Sequence, residues 1–156
     1  MRIGVISDTH GLLRDEAVQY LQTCDVILHA GDVTGEALGD SIRNIKRTYF
    51  VRGNCDELWS RPLPRGLIVE EGGFTFAMAH RYQDLPADTK KFDVGIFGHT
   101  HVFEKFTETD GTIYLNPGSA GRLRYGATCS MAILHIDEAA HTLTVERIDL
   151  NPWGRG

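Results

Sequence analysis

Residues 3–10 of the 156-residue chain read IGVISDTH, a short apolar run that ends abruptly in polar residues. An apolar run of this length predicts a strand buried on both faces, with Asp8 and His10 immediately beyond its carboxyl end. Two further runs of the same kind occupy residues 26–30 and 49–52. The first third of the chain therefore predicts three buried strands, each followed by a polar loop.

Helical patterns separate these three strands. One face of the first predicted helix carries apolar residues at i, i+4, i+7 and i+8, namely Leu13, Ala17, Tyr20 and Leu21. Thr34 is the predicted N-cap of a second helix that ends near Asn44. The resulting β-α-β-α-β order is typical of parallel strands joined by right-handed crossovers.

The rest of the chain has a different pattern, in which hairpins dominate. The predicted hairpins pair residues 67–70 with 74–79, 102–107 with 112–115, and 130–136 with 142–148, and residues 94–97 form another buried strand. Helical periodicity is almost absent after residue 100. We therefore predict a single domain over residues 1–156, built from two stacked sheets with helices outside.

Composition limits the classes of function. The formal net charge is −5 and the pI is about 5.8, so a broad basic face for long nucleic acid is not expected. No apolar run approaches the roughly 20 residues that a membrane helix needs, and the N-terminus has no secretory signal pattern. Cys24, Cys55 and Cys129 form no CxxC pair, which indicates reduced thiols and a cytoplasmic protein.

Side chains that can bind metals follow five of the predicted strands. Loops at the carboxyl ends of parallel strands are where open α/β sheets place their ligands. A glycine precedes three of these side chains, which lets the backbone turn sharply and approach a ligand closely. The full set of candidate ligands is Asp8, His10, Asp32, Asn54, His80, His99 and His101.

Three oxygen donors and four imidazoles form a borderline ligand set that suits Mn, Fe or Zn, whereas Ca²⁺ prefers an all-oxygen shell. Seven ligands are too many for one tetrahedral site, but they fit two metals that share a carboxylate. Two ions about 3.5–4 Å apart can stabilise the attacking and leaving oxygens of a phosphoryl transfer. Of the other histidines, His135 and His141 are expected to be structural. His29 is expected to be packed, with support of the site from outside the ligand shell as the alternative.

The order of these motifs resembles the calcineurin-like metallophosphoesterase superfamily. The matching motifs are Asp-x-His at residues 8–10, Gly-Asp at 31–32, Gly-Asn at 53–54, a single His80, Gly-His-x-His at 98–101 and Asn-Pro-Gly-Ser at 116–119. The short length and the stretch Gly53-Asn54-Cys55-Asp56 are most similar to the small YfcE-type phosphodiesterases.

This resemblance implies an α/β fold, a four-layer α-β-β-α sandwich of two stacked mixed sheets. It also implies two divalent metal ions, with Mn²⁺ preferred over Fe, Zn, Ni or Co. One ion would be held by Asp8, His10, Asp32 and His101, and the other by Asp32, Asn54, His80 and His99, with Asp32 as the bridge. The implied activity is hydrolysis of a small phosphodiester by a metal-bridging hydroxide, with Asn54 and His99 also counted as catalytic.

Cys55 departs from the family pattern, because many members carry at this position a histidine that protonates the leaving group. The thiol could donate a proton, bind a metal or simply fill space beside Asn54; we favour the last, because thiol catalysis needs a base partner. Ala79 precedes His80 where glycine is frequent. Five arginines near the motifs are candidates for contact with a substrate phosphate, namely Arg14, Arg52, Arg81, Arg122 and Arg124.

Other functions share this pattern. A phosphomonoesterase would use the same metals, and the metallophosphoesterase-like subunit of the retromer complex has this fold but serves as a protein-interaction platform. All seven ligand positions hold competent donors, which favours an enzyme. Pro62 and Pro64 predict a loop over residues 59–66. The nearby Trp59 and Leu63, together with Trp153, would form a lid, a contact within a homo-oligomer or ordinary packing.

Overall fold

The computed structural model describes residues 1–56, 63–86, 91–121 and 129–150. The strands are β1 (Arg2–Ile6), β2 (Val26–His29), β3 (Thr48–Phe50), β4 (Gly66–Glu71), β5 (Phe74–Ala79), β6 (Val94–Ile96), β7 (Phe103–Thr107), β8 (Ile113–Pro117), β9 (Cys129–Asp137) and β10 (Thr142–Leu150). The helices are α1 (Asp15–Leu21), α2 (Glu36–Ile45) and a 3₁₀ helix at Tyr82–Asp84. None of the described helices is long and apolar enough to cross a membrane.

Within the described residues, the strands form two five-stranded sheets. The first sheet has the order β10-β9-β1-β2-β3, with β1, β2 and β3 parallel and β9 antiparallel to both of its neighbours. The second sheet has the order β4-β5-β6-β8-β7, with β5, β6 and β8 parallel and the two edge strands antiparallel. Both sheets are mixed, which confirms the predicted fold class.

Alternation along β1 explains why its sequence is apolar throughout. Ile3 and Val5 lie in a buried cluster between the two sheets, together with Phe76 of β5. Ile6 points to the opposite face, where it lies in a second buried cluster with Leu21 of α1. A strand covered on both faces needs apolar side chains at nearly every position. Full burial of one such side chain contributes about 1.5–3 kcal/mol.

The predicted N-cap of α2 is wrong. Thr34 has a left-handed φ of 57°, and the residue that precedes the helix is Gly35, whose φ is 139°. The Thr34 hydroxyl donates to the Val33 carbonyl, and its backbone N–H donates to Asp56 Oδ1 at 2.8 Å. Thr34 is therefore held by a residue distant in the sequence, and α2 begins one position later than a Thr34 cap would place it.

The three predicted hairpins are confirmed as β4–β5, β7–β8 and β9–β10. The parallel pairing of β6 with β5 and β8 was not predicted, because neighbouring strands here are not consecutive in the chain. On the outer face of the second sheet, the 3₁₀ helix packs the Tyr82 ring edge-on against Phe97 and Tyr114. Among the described residues, the outer layer on this side therefore contains one turn of 3₁₀ helix.

Leu63 packs against the second buried cluster, which contains Ile6 and Leu21. This contact supports ordinary packing for Leu63. The other positions named with it, Trp59, Pro62 and Trp153, lie outside the described residues. Arg122 and Arg124 lie outside them as well.

Candidate metal centre

The loops that follow β1, β2, β5 and β6 meet at one place and bring five of the seven predicted ligands together. Asp8 Oδ1 lies 3.6 Å from His10 Nε2 and 3.3 Å from His101 Nε2. Asp32 Oδ2 lies 3.5 Å from His10 Nε2 and 3.2 Å from His80 Nε2. Asp8 Oδ1 is also 3.7 Å from His80 Nε2. The two carboxylates thus lie among three imidazoles.

The two shortest separations, between Asp32 and His80 and between Asp8 and His101, fit pairs of ligands on one metal ion. Two ligand atoms about 2.1 Å from one ion and about 90–110° apart are about 3.0–3.4 Å from each other. Asp8 Oδ1 and His80 Nε2 are both buried, and neither has a hydrogen-bond partner among the described residues. A buried polar atom without a partner is costly, and a divalent cation between a carboxylate oxygen and an imidazole nitrogen would satisfy both.

Asp8 is held in place through its second carboxylate oxygen. Oδ2 accepts hydrogen bonds from the Ser7 hydroxyl at 2.7 Å and from the His99 backbone N–H at 3.0 Å. Burial by itself raises the pKa of Asp8, but the neighbouring imidazoles of His10, His101 and His80 and the hydrogen bond from Ser7 hold it well below its usual range. Asp8 is therefore ionised at neutral pH, and its Oδ1 remains available to bind a cation.

His80 presents its Nε2 atom to the carboxylates because its other nitrogen is occupied. Nδ1 lies 2.8 Å from the carbonyl oxygen of Ala30. A carbonyl can only accept, so Nδ1 carries the proton and Nε2 has the free lone pair in the neutral ring. Burial lowers the pKa of His80, but the carboxylates of Asp32 and Asp8 raise it by more. This position therefore attracts positive charge, whether a proton or a metal ion.

Five of the predicted ligands have left-handed backbone conformations, which non-glycine residues rarely adopt. The φ angles are 54° at Asp8, 48° at His10, 59° at Asp32, 76° at His99 and 65° at His101. Such conformations cost on the order of 1 kcal/mol each and tend to occur at functional sites. The fold imposes them on the residues whose side chains converge.

The expectation that glycine permits close approach is confirmed at two positions. A Cβ atom on Gly53 would overlap the Asp32 carboxylate and backbone, and one on Gly98 would overlap Ser7 and the Asp8 carboxylate. Any larger residue at either position would displace a carboxylate of the site.

Asp56 is the main residue that the sequence analysis missed. It is fully buried, and its Oδ2 accepts from the backbone N–H groups of Asp32 at 2.8 Å, Gly53 at 3.0 Å and Val33 at 3.3 Å. Its Oδ1 accepts from Thr34. One carboxylate thus holds the loops after β2 and β3 together. Its place two residues after Asn54 was the only signal in the sequence.

The Asn-Pro-Gly-Ser turn has a structural role at the site. Asn116 donates through Nδ2 to the Gly98 carbonyl at 3.1 Å and to the Thr100 hydroxyl at 2.9 Å. The Ser119 hydroxyl donates to the Asp8 carbonyl at 3.0 Å. The turn therefore fixes the loops that carry Asp8 and the Gly-His-x-His motif.

His29 is packed, as predicted, and it also supports the site. Its Nδ1 accepts from the Gly31 N–H at 3.1 Å, so its Nε2–H donates to the Thr9 hydroxyl at 3.1 Å. Complete burial lowers the pKa of His29 to about 4. His29 is therefore neutral at pH 7 and ties the loop after β1 to the loop after β2.

The remaining predicted site residues lie at the rim. His99 is half-buried and meets the His80 ring edge-on, with ring centroids 5.2 Å apart. Asn54 and Cys55 are exposed, and the Cys55 N–H donates to Asp32 Oδ1 at 2.8 Å. The Cys55 thiol can join a ligand group with His10 and Asp32. Burial and the charge of Asp32 raise the pKa of this thiol, so it is protonated at neutral pH.

The described arginines separate into two kinds. Arg14 donates through Nε to the Gly121 carbonyl at 2.8 Å, which gives it a structural contact. Arg52 and Arg81 line a cavity of about 470 Å³ beside the centre, together with Arg65, which the sequence analysis did not single out.

Two mixed sheets with a buried carboxylate–histidine cluster at their strand ends define an α/β protein with a candidate metal centre. The family model of the calcineurin-like phosphoesterase superfamily domain matches residues 1–139. The chain belongs to this superfamily of phosphoester hydrolases. A probable metallophosphoesterase from Methanocaldococcus jannaschii is 35% identical over 136 residues, which cover 76% of this chain and 68% of that protein.

Solved structures with a similar fold include a Vps29 and a bacterial phosphoesterase. Vps29 from Entamoeba histolytica in complex with Zn²⁺ matches with a TM-score of 0.73 and 24% identity, over 97% of this chain and 100% of that one. YfcE, a phosphoesterase from E. coli, matches with a TM-score of 0.69 and 19% identity, over 97% and 100% of the two chains. At these identities the likeness establishes the fold.

Proposed function

We propose that the protein is a metal-dependent phosphodiesterase that hydrolyses small phosphodiesters. The observation that carries this proposal is the convergence of two carboxylates and three imidazoles within 3.2–3.7 Å, with Asp8 Oδ1 and His80 Nε2 buried and without partners among the described residues. Buried polar atoms are normally hydrogen-bonded, so these two unpartnered atoms support a bound cation.

Asp32 is the proposed bridge between two divalent cations. Its Oδ2 lies within 3.5 Å of both His10 and His80, which belong to different halves of the proposed ligand set. Asp8 and His101 would complete the first half, and Asn54 and His99 would complete the second. Bound divalent cations supply Lewis acidity, which lowers the pKa of water and neutralises charge on phosphoryl oxygens.

Mn²⁺ is the proposed metal, and the mixed oxygen and nitrogen donors also suit Fe or Zn. The Zn²⁺ in the Entamoeba Vps29 structure supports a divalent cation in this fold. The free thiols of Cys24, Cys55 and Cys129 support a reducing compartment, and we propose the cytoplasm.

His99 is proposed to act on the substrate side of the centre. Burial and the positive charges of His80 and Arg81 lower the pKa of His99, so its ring is neutral at pH 7. A neutral imidazole can bind a cation through one nitrogen and donate a hydrogen bond through the other.

The space beside the centre favours a diester over a monoester. The cavity of about 470 Å³ is lined by His80 and Asn54 on the side of the centre and extends to Arg52 and Arg65. A diester has a second organic group that needs room next to the scissile phosphorus, whereas a monoester has none. The cavity provides this room.

The test compares two chromogenic substrates, bis(p-nitrophenyl) phosphate and p-nitrophenyl phosphate, on protein stripped by a chelator and then reloaded with Mn²⁺. We expect the reloaded protein to hydrolyse the diester faster than the monoester and the stripped protein to be nearly inactive. Asp8→Asn should lower the diesterase rate by at least about a hundredfold, because Asp8 holds the metal. The control Asp93→Asn changes an exposed carboxylate that accepts one N–H from Thr75 and should retain the rate.

Each alternative predicts a different result. Faster hydrolysis of the monoester would replace the proposal with a phosphomonoesterase. Two bound metals without hydrolysis of either ester would favour a non-catalytic scaffold of the same fold. Full activity in protein that elemental analysis shows to be metal-free would overturn the metal-dependent mechanism itself.

A further inference from the structure

A basic pocket adjoins the candidate metal centre. Arg52, Arg65 and Arg81 line the cavity of about 470 Å³, which also reaches Asn54 and His80 of the centre. We name the three arginines and the space between them the arginine pocket. Because His80 belongs to both, a ligand in the arginine pocket lies directly beside a group bound at the centre.

The three arginines come from both sheets. Arg52 follows β3 of the first sheet, whereas Arg65 precedes β4 and Arg81 follows β5 of the second sheet. The backbone N–H of Arg52 donates to the Pro64 carbonyl at 2.8 Å. This hydrogen bond joins the end of β3 to the segment before β4. The arrangement of the sheets, and not a local motif, therefore brings the three charges together.

Among the described residues, the charge of the arginine pocket is only partly balanced. None of the three arginines has an ion-pair partner among the residues that the structure describes, and Asp84 is the acidic residue that shares the cavity. Three guanidinium groups and one carboxylate have a formal charge of +2, in a chain whose net charge is −5.

Arg52 also has an unused donor. Its Nε atom is buried and has no hydrogen-bond partner within the described part of the chain. A guanidinium group presents paired N–H donors that match the oxygens of a phosphate or phosphonate. A terminal phosphate has a charge of about −1.5 to −2 at pH 7, which matches the formal +2 of the cavity.

We propose that the arginine pocket binds a second phosphate, carried on the ester group of the substrate, while the scissile phosphodiester occupies the metal centre. The substrate class is then a small phosphodiester with a terminal phosphomonoester. This inference rests on the proposed phosphodiesterase function, which it makes more specific.

The kinetic test uses two diesters with the same leaving group, p-nitrophenyl propyl phosphate and p-nitrophenyl 3-phosphonopropyl phosphate. The phosphonate carries the second anionic group but cannot itself be hydrolysed. We expect Mn²⁺-loaded protein to show a KM about tenfold lower for the phosphonate ester, because at least one charge-assisted contact is gained. The triple variant Arg52→Gln/Arg65→Gln/Arg81→Gln should lose this preference.

Two further variants make the test specific. Arg65 and Arg81 are exposed, so the double variant Arg65→Gln/Arg81→Gln is expected to fold even if the triple variant does not, and it should also reduce the preference. Arg147→Gln is the matched control, because Arg147 pairs with Asp149 on β10 and does not line the cavity. It should keep the tenfold preference.

A binding measurement separates this inference from the proposed function. Propylphosphonate is titrated calorimetrically into metal-free wild-type protein and into the double variant. Binding by the wild type alone, even without hydrolysis of either diester, would support the arginine pocket while the phosphodiesterase proposal failed. Hydrolysis of both diesters with equal KM, together with no propylphosphonate binding, would overturn the arginine pocket and leave the phosphodiesterase proposal intact.

Discussion

Asp56 should be essential for the centre because it holds the backbone of Asp32 and of the neighbouring loops. Its carboxylate accepts four backbone N–H groups, from Asp32, Val33, Thr34 and Gly53. Asp56→Asn keeps the shape of the side chain but replaces one oxygen with an NH₂ group. At least one of these N–H groups then faces a donor, and the remaining hydrogen bonds lose their ionic character.

The magnitude follows from these contacts. A stranded buried donor costs about 1–3 kcal/mol, and a charge-assisted hydrogen bond is roughly twice as strong as a neutral one. We therefore expect Asp56→Asn to lower the free energy of unfolding by about 3 kcal/mol, which corresponds to a Tm decrease of about 6–12 °C for a domain of this size. Because Asp56 positions Asp32, metal affinity should fall by about 10–100-fold.

The measurement is urea unfolding of the metal-free protein, followed by titration of Mn²⁺ into the folded variant. Asp93→Asn is the control, since Asp93 accepts one N–H from Thr75 at 2.8 Å in an exposed position. Its effect on the free energy of unfolding should stay within about 0.5 kcal/mol. An effect of Asp56→Asn as small as that of the control, with unchanged metal affinity, would refute the organising role of Asp56.

Three further predictions follow from the same contacts. Burial lowers the pKa of His29 to about 4, so the unfolded chain takes up this proton first. The neutral His29 ring therefore contributes about 3 kcal/mol to the free energy of unfolding above about pH 6.5, and this contribution is lost as the pH falls toward 4. If the free energies of unfolding of the wild type and His29→Gln changed in parallel over this range, the prediction would be wrong. Asp32→Ala should lose both metals in native mass spectrometry whereas His101→Ala loses one, because Asp32 lies beside both His10 and His80; two metals retained in Asp32→Ala would exclude the bridge. Cys55→Ala should change kcat on bis(p-nitrophenyl) phosphate by less than about tenfold, or 1.4 kcal/mol, and a thousandfold loss with both metals bound would show that the thiol is catalytic.

Much of the fold and most of the candidate centre could be predicted from the sequence alone. The strands were predictable because a strand covered on both faces must be apolar throughout, as in Ile3 to Ile6. The converging ligands were predictable because each lies within a few residues of the end of such a strand, and the ends of parallel strands lie at the same edge of a sheet. The local sequence pattern was therefore sufficient to predict the strands and the positions of Asp8, Asp32 and His80 at their ends.

The contacts between distant segments could not be predicted from any local sequence pattern. Asp56 reaches N–H groups 24 residues away at Asp32 and 22 residues away at Thr34, and the second of these contacts moves the start of α2. The arginine pocket likewise exists only because the segments around β3, β4 and β5 meet in space. The physical reason is that burial and strand direction restrict which residue type can stand at each position, and this restriction is visible in the local sequence. Hydrogen bonds and charge clusters between loops depend instead on how the two sheets pack together.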